Sequence, residues 1–186
     1  GSGISGGWAA KELTEKGLKV LCLERGREIT HISGYETATK DPWDFLHRGR
    51  PDSMAMEEYW AGMRTGYTVN EEHRYLFEND KQNPYIEKKG GMDWIRAYHT
   101  GGKSLLWGRQ SYRWNEEDFM ANAKEGVGVD WPIRYQDLAP WYTHVEKFAG
   151  ISGQMEGLSV LPDSHFLPAM PMTAPEKEFK SKVMSK

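Results

Sequence analysis

Glycines at positions 1, 3 and 6 open the chain, within Gly1-Ser2-Gly3-Ile4-Ser5-Gly6-Gly7, and an acid, Glu24, follows in Leu21-Cys22-Leu23-Glu24-Arg25-Gly26. That order of residue types suits a phosphate-binding turn. Glycine permits a tight bend, close backbone approach to a pyrophosphate and close helix–strand packing. A helix starting in the turn aims its free N–H groups and positive dipole end at the anion. A carboxylate at the end of the next strand can accept from both ribose hydroxyls. Further along, His99-Thr100-Gly101-Gly102-Lys103-Ser104-Leu105-Leu106-Trp107-Gly108-Arg109 holds a second glycine turn. The histidines, at 31, 47, 73, 99, 144 and 165, show no paired spacing for a metal or for a Ser-His-Asp arrangement, so no metal ligands are expected.

The elements that must position these residues are legible in part. Ala9, Ala10 and Leu13 fall on one helical face and Lys11, Glu12 and Glu15 on the other, which predicts a helix over 5–16. Gly17 suits the left-handed position after its end. Leu18 to Leu23, apolar except for Lys19, predicts a buried parallel strand with Glu24 at its C-terminal end and Cys22 in its interior. Residues 26–90 are polar and broken by Pro42, Pro51 and Pro84. Short helices are expected over 41–50 and 53–63, and short strands over Gly66 to Asn70 and Tyr85 to Lys88. An insertion of that length is either a functional lid or a solvated excursion. Asp93 to His99 predicts a strand that continues over Gln110 to Trp114. Asn115 suits a helix N-cap before Glu116, Glu117 and Asp118. Leu138, Trp141, Tyr142, Val145 and Phe148 form one helical face that stops at Gly150, the tail over 152–175 is loop-like, and a last helix is expected from Glu176.

The 186 residues carry 24 Lys and Arg against 27 Asp and Glu, a formal charge of −3 that offers no footprint for nucleic acid. No apolar run is long enough to span a bilayer. The single cysteine excludes an intrachain disulfide. Eight tryptophans and nine tyrosines are dispersed without a fixed period, which argues against a repeat architecture.

The opening GSGISGG with LERG, the HTGGKSLLWG segment, and DWPIRYQDLAPWYTHVEKFAGISG together resemble the FAD-binding half of glucose-methanol-choline oxidoreductases, with a look closest to the flavoprotein subunits of bacterial sugar and polyol dehydrogenases. The blocks stand in family order over residues 1 to about 153. The resemblance implies an α/β fold, an FAD/NAD(P)-binding Rossmann-like domain over 1–153 whose first strand is missing. A linker and the start of a substrate domain would follow over 154–186, so that the domain is cut at both ends. It implies FAD as cofactor, a small sugar or alcohol as substrate, and an electron-acceptor subunit or cytochrome as partner. It places Gly1, Gly3, Ser5 and Gly6 at the pyrophosphate, Glu24 at the ribose and Arg25 beside the adenine. Gly101, Gly102, Ser104, Trp107 and Gly108 would lie toward the flavin, where backbone donors favour the charge of the reduced ring.

Some relatives of this type tether FAD through a histidine two residues after the serine of the second turn. That position is Leu106 here, so a non-covalent cofactor is expected. The histidine base of the family lies in a C-terminal motif beyond Lys186, so no catalytic residue is expected in this chain and the chain alone should be inactive. A nicotinamide dehydrogenase and a non-catalytic nucleotide-binding module are the rival readings.

Overall fold

The computed structural model describes residues 1–50, 52–65 and 69–185. Helices dominate, with one two-stranded parallel sheet, an α/β make-up. The chain divides into two compact units, Gly1–Gly108 and Arg109–Lys186.

In the first unit, α1 spans Ile4–Glu15. Its C-terminal end is closed by Gly17, whose φ of 80° is free for glycine. The Gly17 N–H donates to the Thr14 carbonyl and the Leu18 N–H to the Leu13 carbonyl, the paired bonds that satisfy a helix's last acceptors. Two short helices, α2 (Ser53–Glu58) and α3 (Trp60–Arg64), stand where one was expected over 53–63. The Asp52 side chain caps α2 by accepting from the Ala55 N–H. Over 41–50 no α-helix forms; a tight helical turn, Pro42–Asp44, is followed by a hydrogen-bonded turn over 46–49. The unit's apolar core is Ile29, Ala55, Ala61, Val69, Leu76 and Phe77. Beside it, buried Arg96 donates to buried Asp80 at 2.9 Å, and Asp80 also accepts from the Ala61 N–H.

Among the described residues of this unit, none of the expected strands forms. Leu18 to Glu24 has no assigned secondary structure and forms no strand ladder with another described segment, and Leu21 and Leu23 are 82% and 73% exposed. Cys22 is exposed as well, not a core residue. A strand needs hydrogen-bond partners on its edges as well as an apolar composition, and none of the described residues supplies them here. Residues 93–98 likewise have no assigned secondary structure, and the segment reaches only one parallel bridge among the described residues, Arg27 to His99. Tyr85 to Lys88 is irregular. Of the strand expected over Gly66 to Asn70, residues 66–68 lie outside the described residues, and Val69 and Asn70 are not in a strand.

In the second unit, residues 110–114 form no strand. Helix α4 (Glu116–Glu125) begins at Asn115, which caps it reciprocally with Asp118. Helix α5 spans Tyr135–Ala149 and ends at Gly150 in the left-handed region, φ 69°. The expected tail loop contains a short parallel pair, β1 (Ser152–Gly153) with β2 (Leu167–Pro168). Helix α6 covers Ala174–Met184. Phe119 is fully buried, beside the rings of Trp114 and Trp131.

Helix α5 turns an unexpected face inward. Trp141 and Phe148, read from spacing as a packing face, are each 63% exposed, whereas Glu146 is buried. Arg113 explains this. Its guanidinium donates twice to Glu146, at 2.8 and 2.6 Å, and also to the Tyr135 hydroxyl and Thr143 Oγ1, all on α5. The bonds to Glu146 hold the guanidinium pKa above its ordinary value despite burial. Burial works against ionisation of Glu146, yet Arg113 and the His165 N–H keep its carboxyl below the usual range.

Candidate functional site

Three segments of the first unit meet at Ser2. Its backbone N–H and its hydroxyl both donate to Glu24 Oε2, at 2.7 and 2.6 Å. The same hydroxyl oxygen accepts from the Gly101 N–H at 2.9 Å. The opening glycine turn, the acid at 24 and the second glycine turn therefore share one serine.

Glycine is required at position 6 by crowding and at 101 and 102 by backbone conformation, whereas the two turns meet at ordinary contact distance. A Cβ on Gly6 would overlap the Gly1 carbonyl oxygen. One on Gly3 would sit 3.8 Å from the Gly101 oxygen, and one on Gly102 would sit 3.6 Å from the Gly3 Cα. Gly101 and Gly102 both hold positive φ, 79° and 49°. The tight turn Gly102–Leu105 follows, and Ser104 spends its hydroxyl on the Gly101 carbonyl. At α1, Gly3 occupies the N-cap and no side chain caps the helix, so its first N–H groups are left for another acceptor.

Glu24 is held by a second set of donors. The Arg25 and Gly26 N–H groups bond its Oε1 at 2.8 and 3.2 Å. Ser2, with Gly26 and Arg25 behind it, pulls the Glu24 carboxyl from its ordinary value near 4.5 down to about 2. A carboxylate is an acceptor alone, so Glu24 can only receive a ligand's donors. A lowered pKa contributes stability that is complete above pH 4.5 and is lost as the pH falls through about 2. A carbon NMR titration of the Glu24 carboxyl should give a midpoint near 2, and Glu24→Gln should flatten the acid dependence of stability in that window. A midpoint at the ordinary value would remove Ser2 from its role.

The segment after Glu24 is pinned to the one before Gly101. The Arg27 N–H donates to the Tyr98 carbonyl, the Thr100 N–H to the Arg27 carbonyl, and the Ile29 N–H to Thr100 Oγ1. Gly26 lies so close that a Cβ there would overlap the Tyr98 carbonyl and the His99 nitrogen. The Arg25 guanidinium stacks on the Tyr98 ring, 3.9 Å from its centroid.

His99 is 2% exposed. Its Nδ1 lies 2.9 Å from the Thr100 carbonyl oxygen, which can only accept, so Nδ1 carries the proton. Nε2 is then a buried acceptor without a partner among the described residues.

Of the residues singled out from sequence, Gly1, Gly3, Gly6, Glu24, Gly101 and Gly102 converge here, with Arg25 alongside. Ser5 is exposed on the first turn of α1, and Trp107 and Gly108 lie exposed past the second turn. Ser2 was not singled out. It occupies a variable position of the glycine pattern, and no spacing signal marks it.

No family model matches the chain. It is similar to the 2-methyl-1,2-propanediol dehydrogenase of Mycolicibacterium austroafricanum, 26% identical over 185 residues, which is 95% of this chain and 28% of that protein. It is also similar to the fructose dehydrogenase large subunit of Gluconobacter japonicus, 26% identical over 94% of this chain and 30% of that one. The paromamine 6'-oxidase of Streptomyces fradiae is likewise 26% identical, over 84% of this chain and 23% of the oxidase. The chain thus spans less than a third of the length of these relatives, all of them dehydrogenases or oxidases by name.

Proposed function

We propose that this chain is the FAD-binding portion of an oxidoreductase that oxidises a CH–OH group of a sugar or alcohol, built on a Rossmann-like FAD-binding domain. The observation that carries the reading is the meeting of the Gly1–Gly6 turn, Glu24 and the Gly101–Gly102 turn on Ser2. The distant likeness to dehydrogenases and oxidases of polyols, fructose and aminoglycosides supports the same class.

The residues fit the cofactor on structural grounds. The glycine cradle would be filled by any Cβ at position 6, the α1 N-terminus has no side-chain cap, and a buried imidazole acceptor lies two residues before Gly101. Gly1, Gly3 and Gly6 would hold the pyrophosphate with Ser5 beside them, Glu24 the ribose and Arg25 the adenine. Gly101, Gly102, Ser104, Trp107 and Gly108 would face the flavin side. When bound, FAD would supply the hydride acceptor. The protein's share in this chain is binding and orientation, and we assign no base within residues 1–186. Leu106 has no nucleophile, so the cofactor would be held without a covalent bond. An electron-acceptor subunit or cytochrome is the partner this reading implies, in line with the large-subunit name of one relative.

The test is flavin retention by purified protein carrying this chain. Acid precipitation should release yellow flavin into the supernatant. Glu24→Ala should weaken retention by about 10- to 100-fold, the range expected for a charge-assisted hydrogen bond. Turnover per bound flavin should stay within about twofold, because binding lost equally from ground and transition states leaves kcat alone. Protein that carries no flavin absorbance, or retention unchanged in Glu24→Ala, would overturn the assignment.

A further inference from the structure

Away from the glycine turns, in the same unit, His47, Asp52 and Glu71 each present one metal-ligating atom, and these atoms all lie within 4.8 Å of one another. His47 Nδ1 is 2.9 Å from Glu71 Oε1 and 3.7 Å from Asp52 Oδ2. A tetrahedral zinc with bonds of about 2.0–2.1 Å has ligand–ligand edges of about 3.4 Å, so an entering cation would replace the His47–Glu71 hydrogen bond with a slightly wider pair and draw Asp52 inward. The side chains are 43%, 20% and 13% exposed, so the cluster is open to solvent on the imidazole side.

The orientation of the carboxylates is a separate observation. Asp52 Oδ1 accepts from the Ala55 N–H at 2.6 Å, which leaves Oδ2 toward the imidazole. Glu71 Oε2 accepts from the His47 N–H at 3.0 Å, which leaves Oε1 toward the same ring. Each carboxylate is thus fixed through its far oxygen by a backbone donor, as ligating carboxylates are in metal sites.

The geometry points to a divalent-cation site formed by His47, Asp52 and Glu71, with a fourth position open to water. One imidazole and two carboxylates suit Zn²⁺ or Mn²⁺, whereas Ca²⁺ asks for six or more oxygens. Two carboxylates supply the counter-charge for a dication. Arg74, 3.4 Å from Asp52 Oδ2, competes for that charge and is displaced when the cation enters. Sequence spacing could not reveal the site, because its ligands come from a turn, a helix cap and a loop. It does not depend on the flavin reading.

Isothermal titration of the untagged, chelator-treated protein with Zn²⁺ alone tests it. One tight equivalent is expected. His47→Gln and Glu71→Gln should each weaken it by at least about 10-fold, and both substitutions keep a hydrogen-bonding side chain in place. Arg74→Gln removes the competitor without touching a ligand and should tighten binding. Circular dichroism checks that each variant folds, and should His47→Gln fail to fold, Arg74→Gln still decides the matter. No tight equivalent, equal affinity in wild type and Glu71→Gln, or an unchanged affinity in Arg74→Gln would each overturn the site.

Discussion

Replacing Gly26 by alanine should unfold the glycine-turn site. The added methyl would overlap the Tyr98 carbonyl and the His99 backbone nitrogen, and neither is the far end of a flexible side chain. Two backbones must therefore separate. Overpacking costs typically about 1–3 kcal/mol where side chains can shift, and more where they cannot. The bonds at risk are those between Arg27 and Tyr98, between Thr100 and Arg27, and between Ile29 and Thr100. The Gly26 N–H is also a donor to Glu24, so the acid would lose a ligand as its segment moved. Thermal unfolding should fall by more than about 5 °C, as a change of several kcal/mol implies for a chain of this size. Hydrogen exchange at the Gly101 amide should rise in step. A Gly17→Ala control meets open space in a left-handed conformation and should cost only about 1 kcal/mol. Equal losses in the two variants would show that crowding at Gly26 is not what holds the segments together.

The second large effect is expected at Arg113. Arg113→Met should destabilise the second unit by about 3–5 kcal/mol, the cost of leaving a buried charge without its partner. Glu146, 6% exposed beside Arg113, would be left with the His165 N–H and the Ser164 hydroxyl as donors and no cation. Its carboxyl would then rise from below the usual range, so the loss should be smaller in acid, where the group can protonate. The double variant Arg113→Met with Glu146→Leu should recover most of the stability, because paired replacement by apolar residues of similar volume is often neutral. Denaturant melts of the four proteins in that cycle measure it. Arg113→Met losing less than about 1 kcal/mol would mean that water already reaches the pair.

Signals that a few neighbouring residues carry were legible from sequence. The α1 helix and its Gly17 stop, the Asn115 cap and the Gly150 stop are all read from residues within one or two turns, and all form. The pairing of the second glycine turn with the opening turn and Glu24 comes from the family resemblance and not from composition, and the structure brings the three segments together at Ser2. What failed had a distant cause. Leu18 to Leu23 has the composition of a buried strand, but pairing depends on a neighbour that the run itself does not encode. The inward face of α5 is set by Arg113, 33 residues from Glu146, and this polar anchor rotates the helix so that Leu138 and Tyr142 of the expected face are half-buried while Trp141 and Phe148 are exposed. Ser2 and the His47 cluster show the same limit. Their partners lie 22 to 99 residues away for Ser2 and 24 for His47 with Glu71, and no local period points to them.

The hydrogen bond between Ser2 and Gly101 spans 99 residues. Closing a loop of that length carries an entropy cost that local helix formation does not. Helix α1 can therefore form early, while the Ser2 junction must wait for the distant turn. On a ribosome adding about 5–20 residues per second, the wait is about 5–20 s. Leu21 and Leu23 gain no strand partner among the described residues even once the junction has formed, and both stay exposed there. Assembly of the site is thus ordered in time: the acid and the first turn are synthesised together, and the last piece to arrive, Gly101, locks both.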